Sequence, residues 1–256
     1  MNALQLIEAL MLPVSSRVDQ KVPKTVLSEQ AAATAADRRA IREGIEGLWW
    51  QASLKPNTIG VPAFEDERRE YLEIAVLRLQ LRSTLKHGAR ATRLIELLHR
   101  AIPYPVLLVT EQEDALTLSL AHKRWAQNER DKMVLEDGYP HTTPVPDDAP
   151  DAFFHDLALS NQPQTQLFAL YQGWLACLLA LEAWRETGHY RAPQGQGIDQ
   201  LSERWQCLQR VRELASEIAR LRKQAARERQ MARQVELNLQ IKQLEAQRDA
   251  LLEQLT

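Results

Sequence analysis

From Asp199 to the end of the chain no proline or glycine occurs, and this uninterrupted run constrains the fold more than any other feature. Within it Val211, Leu214, Ile218, Leu221, Ala225, Ala232 and Val235 fit alternating spacings of three and four, with Glu228 as the polar exception. Apolar residues at that spacing line one side of a helix and form a seam that packs against other helices. The seam resumes in shifted register at Leu237, Ile241, Leu244, Leu251 and Leu255. The run therefore predicts a long coiled-coil helix or a helical hairpin over 199–256, the shift marking a stutter or a turn. A helix with such a seam cannot bury it alone; the seam needs the body of the protein or another chain.

The preceding residues have a different pattern. Leu4, Ile7, Leu10 and Met11 define one face of a short helix that Pro13 closes. Thr34, with Asp37 three residues on, is placed to cap a helix reaching Gly44, its hydroxyl oxygen taking up a free backbone N–H. Leu48 to Leu54 reads as a strand stopped by Lys55, Pro56 and Asn57. Ile74 to Leu81 alternates in the period-2 manner of a strand with one buried face. Residues 92–101 return to helical spacing and end before Pro103 and Pro105. Val106–Thr110 and Leu116–Leu120 then make a β-hairpin around the polar stretch 111–114.

Four prolines between 138 and 150 mark a linker or surface loop. Residues 165–187 are apolar around most of a helical circumference, so that helix is expected to be buried. The glycines of 188–197 make another break. The expected architecture is α+β, a small mixed sheet with flanking helices over 1–137, followed by the linker. An apolar helix and break occupy 151–198, and the coiled-coil segment follows.

A net charge of −2 predicts no general attraction to nucleic acid or anionic membrane. Two cysteines, Cys177 and Cys207, cannot build a disulfide framework, which points to a reducing, cytoplasmic setting. No run of roughly 18 consecutive apolar residues occurs, so no membrane-spanning segment is expected. The N-terminus lacks the basic start and small-residue cleavage site of a signal peptide.

Chemistry-bearing motifs are sparse. None of the six histidines, His87, His99, His122, His141, His155 and His189, pairs with another at metal-ligand spacing. The scattered glycines exclude a phosphate-binding loop of the usual kind. No metal or other cofactor is expected. The element order around 34–110 is compatible with a nuclease-like core, in which two carboxylates hold a metal and a lysine polarises water. Here the strand end carries Gln80 and Arg82, and Glu73 alone is a possible first ligand. An ordinary strand with solvated polar residues is the simpler account, and no catalytic residue is assigned.

Candidate binding residues fall in two groups. Lys55 with Pro56, and His122, Lys123 and Arg124, follow strands, where binding loops usually sit. Arg220, Arg222, Lys223, Arg227, Arg229 and Arg233 form a basic stripe around Glu228, able to contact phosphates or simply to solvate a helix. Val211, Leu214, Ile218, Leu221, Val235, Ile241 and Leu244 are the seam expected to mediate assembly, including a homo-oligomer.

Arg17 to Lys24, Leu54-Lys55-Pro56 with Asn57-Thr58-Ile59, Ala101 to Pro105 and Leu118 to Arg124 resemble the bacterial family known as domain of unknown function 4391. The resemblance is most specific over 17–125. It implies a setting beside helicases and DNA methyltransferases of restriction-type or phage-defence clusters. The function expected from it is a non-catalytic accessory subunit that docks onto such a partner. The alternative is a degenerate nuclease-like or nucleic-acid-binding protein.

Overall fold

The computed structural model describes residues 1–30, 34–85, 88–126, 133–136, 140–192 and 197–255, with the backbone alone of Gln30 and Ile198. His87, Gly138 and part of the 188–197 break lie outside the described residues. The chain divides into two compact units, Met1–Leu178 and Leu179–Thr256.

The first unit is built on a six-stranded mixed sheet. In chain order its strands are β1 (Arg17–Lys21), β2 (Ile45–Leu54), β5 (Ile74–Leu81), β6 (Val106–Gln112), β7 (Ala115–Leu120) and β10 (His141–Val145), which is also their spatial order. Only β5 and β6 run parallel. They are joined by α5 (Ala89–Ala101), since a parallel pair needs a crossover rather than a tight turn. Two small ribbons accompany the sheet, β3 (Phe64–Glu65) with β4 (Glu70–Tyr71), and β8 (Lys123–Trp125) with β9 (Met133–Leu135).

Local sequence explains most of these elements. α1 (Ala3–Glu8) starts at Asn2, whose side chain accepts the Gln5 N–H at 3.0 Å while Gln5 accepts the Asn2 N–H at 2.9 Å. Thr34 caps α3 (Ala35–Gly44) as expected, accepting the Asp37 N–H at 3.1 Å. α2 (Lys24–Gln30), α3 and α5 cover one face of the sheet. Leu27, Ile41, Leu94 and Leu98 pack there with Leu48, Leu77, Leu79 and Leu108 from β2, β5 and β6. β5 departs from the one-faced strand its alternation suggests. Ile74, Ala75, Val76 and Leu77 are all fully buried, and only Arg78 and Gln80 keep partial exposure. A strand at the centre of the sheet, parallel to a neighbour through a helical crossover, is covered on both sides.

The proline-rich stretch is more ordered than a linker. Residues 141–145 form β10, paired antiparallel with β7 from His141↔Leu120 to Val145↔Leu116. Pro144 is exposed within it. Proline is tolerated there because β10 is an edge strand, where a missing N–H costs no ladder bond.

α6 (Asp151–Leu157) leads to α7 (Leu167–Thr187), which begins in the first unit and ends in the second. α7 is, among the described residues, the one helix long and apolar enough to cross a membrane, and 78% of its apolar window is buried. Its Tyr171 hydroxyl donates to the Val106 carbonyl at 2.7 Å and accepts the Ala121 N–H at 2.7 Å. Gly173 lets α7 come close to the loop before it, since a Cβ there would lie 2.2 Å from Gln162 Oε1.

The second unit holds the end of α7 with α8 (Ile198–Ala225) and α9 (Met231–Glu253). Of the long helix and the hairpin that the sequence left open, the second is found, with the break at residues 226–230, ahead of the register change between Val235 and Leu237. Ile218, Leu221 and Ala225 pack with Ile241, Leu237 and Leu244. Arg204 Nη2 donates to the Leu255 carbonyl at 2.9 Å and Gln234 Nε2 to the Ala225 carbonyl at 3.3 Å. Early α8 therefore meets late α9, and the two form an antiparallel hairpin. Arg212 on α8 reaches Glu182 at 3.1 Å and Glu186 at 3.9 Å on the last turns of α7.

Candidate interaction surfaces

The strand registers bring both predicted loop clusters to the same end of the sheet's strands. Leu54 pairs with Ile74, Ala75 with Val106, and Leu107 with Leu120. The ends of β2 and β7 therefore lie on the same side, and Lys55 and His122 follow them.

Lys55 occupies the cap position of the single-turn helix α4 (Pro56–Ile59), with Pro56 as its first residue. Its backbone is extended, φ −126° and ψ 162°, the conformation a following proline favours. Thr58 Oγ1 accepts the Lys55 N–H at 2.8 Å, and Gly60 closes the turn at φ 74°. Lys55 Nζ lies 3.1 Å from Glu73 Oε2, while Ser53 Oγ donates to Glu73 Oε1 at 2.5 Å. Both oxygens of the carboxylate considered as a metal ligand are thus already engaged. Lys55 itself remains 44% exposed and Glu73 only 8%.

The second cluster departs from expectation. His122 and Lys123 are buried, and Arg124 is half-buried with its guanidinium 3.2 Å from the Trp125 carbonyl. His122 Nδ1 sits 2.5 Å from the Tyr71 hydroxyl, and Phe168 and Tyr171 complete an aromatic cluster around them. Burial holds the Tyr71 phenol well above its usual range. The Lys123 ammonium donates to the Ile102 carbonyl, the capping residue at the end of α5. That contact sets a cation against the negative end of a helix dipole and favours the charged form. Burial opposes it and prevails, lowering the Lys123 pKa to about 7. Three adjacent polar residues after a strand look solvated in sequence; here two are drawn into the core by partners 21 and 51 residues away.

Two further polar arrangements had no local signal. Arg69 grips Glu136 through Nε at 3.0 Å and Nη2 at 2.5 Å, and its guanidinium lies 5.3 Å from the centre of the Phe168 ring. His99 is fully buried with Nε2 2.9 Å from Ser119 Oγ, and burial lowers its pKa to about 3. Among the remaining histidines, His141 is buried in β10 and His155 lies 3.3 Å from Asp156 with its side chain 75% exposed.

The basic stripe surrounds the hairpin tip. Arg220, Lys223, Gln224, Arg227 and Glu228 line one hollow there. The Glu228 carboxylate accepts the N–H groups of Arg229 at 2.8 Å and Gln230 at 2.9 Å, which hold its pKa below the usual range, assisted by Arg233. The acid within the stripe is thus a turn cap, and the cations around it are in excess. Arg222 lies outside the hollow, paired to Glu245 on α9 at 2.6 Å, and Arg220 is 3.7 Å from Glu217. The seam residues are turned the other way. Val211, Leu214, Ile218, Leu221 and Ile241 are buried and Leu244 half-buried, whereas Val235, read from sequence as a seam position, is 54% exposed. Past the turn the inward face of α9 follows the register of Leu237 and Ile241, which carries Val235 outward.

Fold and surfaces together define an α+β protein with a mixed six-stranded sheet, internally engaged polar groups, and a C-terminal helical hairpin with a basic tip. The family model described as domain of unknown function (DUF4391) matches residues 10–247, and the chain belongs to that family. No curated protein and no solved structure matches the chain.

Proposed function

We propose that this protein is a non-catalytic accessory subunit of a bacterial restriction-type or phage-defence system, docking onto a helicase or DNA methyltransferase. The observation that carries this reading is the basic hollow at the hairpin tip. Arg220, Lys223 and Arg227 converge on it, while the one acid present is spent on capping the turn. Such a surface suits an acidic patch on a partner, because complementary charge steers encounter and fixes orientation. In this reading α8 and α9 form an antiparallel coiled coil whose turn presents the docking residues. The defence setting is an inference from family resemblance, and the cytoplasm is the compartment that goes with it.

The same hollow suits nucleic-acid phosphates, which is the second reading. A metal-dependent nuclease has less in its favour, since Ser53 and Lys55 occupy both Glu73 oxygens.

Capture of the tagged full-length protein from its native host tests the proposal. A helicase or methyltransferase should co-purify, and charge reversal at Lys223 and Arg227 should release it. Loss of duplex DNA binding in the same variants, with no protein captured from the parent, would select the second reading. A chain that captures neither sinks both.

A further inference from the structure

Trp49 on β2 sits between two cations on the neighbouring strands. Leu77 and Leu79 pack into the core beneath α2, α3 and α5, so Arg78 between them stands on the other face of the sheet. Arg78 is the register partner of Trp49 on β5, and Lys21 is its register partner on β1. The Arg78 guanidinium lies 4.1 Å from the centre of the Trp49 ring and the Lys21 ammonium 5.3 Å from it. Gly47 makes room for the indole, because a Cβ there would lie 2.2 Å from Trp49 Cη2. Lys21 is exposed, and Trp49 and Arg78 are half-buried. Glu111, opposite Gln80 on β6, bounds this surface on the far side.

Two more cations stand where β1 and β5 end and β2 begins. Lys24 Nζ donates to the Ile45 carbonyl, and the Arg82 N–H donates to the Gly44 carbonyl at 2.9 Å. Burial first, then the charges of Arg82 and Lys21, lower the Lys24 pKa, with Glu46 acting the other way. Among the described residues no carboxylate lies within ion-pair distance of any of the four cations, and the buried Arg78 Nε has no hydrogen-bond partner. Cations left without acids attract an anion, and an aromatic ring set among them favours an anion that carries flat rings. We propose that this face of β1, β2 and β5 binds single-stranded nucleic acid, a base stacking on the Trp49–Arg78 pair and the flanking phosphates lying against Lys21, Lys24 and Arg82. A duplex keeps the flat faces of its bases inside its own stack, and an acidic peptide leaves the indole without a partner, so both fit less well. The site lies in the first unit and shares no side chain with the basic hollow of the hairpin.

Fluorescence anisotropy with a labelled oligothymidylate of about 12 nucleotides reads the binding. The full chain carrying Lys223→Glu and Arg227→Glu serves as the parent, so that the hairpin tip contributes nothing. It should bind the single strand at low salt, and a duplex of the same length at least about tenfold more weakly. Trp49→Leu should weaken binding about tenfold while leaving its salt dependence unchanged, and Trp49→Phe should recover most of that loss. Lys21→Gln with Arg82→Gln, both on exposed positions, should keep the melting temperature and make the slope of log K against log salt shallower by about 1.4. A parent that does not bind the single strand overturns the proposal, and so does binding indifferent to Trp49→Leu or equally tight to the duplex. A full chain that captures a helicase or methyltransferase and binds no single strand would overturn this inference alone and leave the proposed function standing.

Discussion

The Lys123 ammonium donates to the carbonyl of Ile102, so a strand residue closes the C-terminal end of α5 from inside the protein. A lysine there combines two opposed effects. The carbonyl and the helix dipole favour the cation, and burial penalises it more strongly, leaving a pKa of about 7.

The pH dependence follows from that depression. Unfolded, the side chain titrates near its ordinary value of 10.5; folded, at about 7. Between those values the unfolded chain binds more protons, so stability rises with pH across the window and is flat with respect to this group below it. Denaturant unfolding at the two ends of the window should differ by a few kcal/mol at most from this residue. Lys123→Met should remove that slope while keeping the packed stem. A parent whose stability falls across the same window, with the methionine variant unchanged in slope, would contradict the assignment.

Lys55 and Glu73 supply a second test. Because Lys55 is 44% exposed, solvent screens the pair, and a double-mutant cycle of Lys55→Met and Glu73→Gln should give a coupling of about 0.5–1 kcal/mol. Glu73→Gln alone should cost more than Lys55→Met alone, since the carboxylate is buried and also accepts from Ser53. Chemical denaturation of the four proteins measures all three terms. Zero coupling would mean that the ion pair does not persist in solution.

What could be read in advance was whatever short-range chemistry decides. The Thr34 cap, the stop at Lys55-Pro56 and the hairpin after Val106 depend on neighbours within a few residues, and each stands where local pattern puts it. The resemblance to the family likewise agrees with the match over residues 10–247. Burial of His122 and Lys123 was not legible, because it depends on Tyr71 and Ile102, distant in sequence. β10 was obscured by Pro144 within it and the prolines flanking it, which rule out a central strand but not an edge. The seam was visible as a period, but its change of register falls between Val235 and Leu237, inside α9 and past the turn that follows Ala225. Periodicity cannot tell which chain fills a seam, so the partner that the sequence requires for Ile218 and Leu221 turns out to be α9 of the same molecule.

Gly173→Ala should destabilise the first unit even though alanine is the better helix former by about 0.8–1.0 kcal/mol. The added methyl would lie 2.2 Å from Gln162 Oε1 and 2.6 Å from Pro163 Cδ. Gln162 cannot swing away freely, because its amide donates to the Asp156 carbonyl. Overpacking of this kind costs about 1–3 kcal/mol, so the net loss should be up to about 2 kcal/mol. An increase in unfolding free energy on substitution would show that the loop yields.

The hairpin seam separates folding from assembly. Ile218 and Leu221 are 2% and 5% exposed and pack against Ile241 and Leu237. Ile218→Ala should cost about 2–4 kcal/mol through the cavity it leaves. Ile218→Asp with Leu221→Asp should open the hairpin, because two buried, unpaired carboxylates exceed what the contact between two helices supplies. Limited proteolysis would then cut within residues 198–253 while the sheet unit survives. Lys223→Glu with Arg227→Glu, on exposed positions, should leave the hairpin resistant and act only on docking. The two variant pairs therefore give opposite readouts. If the aspartate pair stays protease-resistant and loses only a bound partner, the seam faces that partner rather than α9, and the antiparallel hairpin is not the form the protein takes in solution.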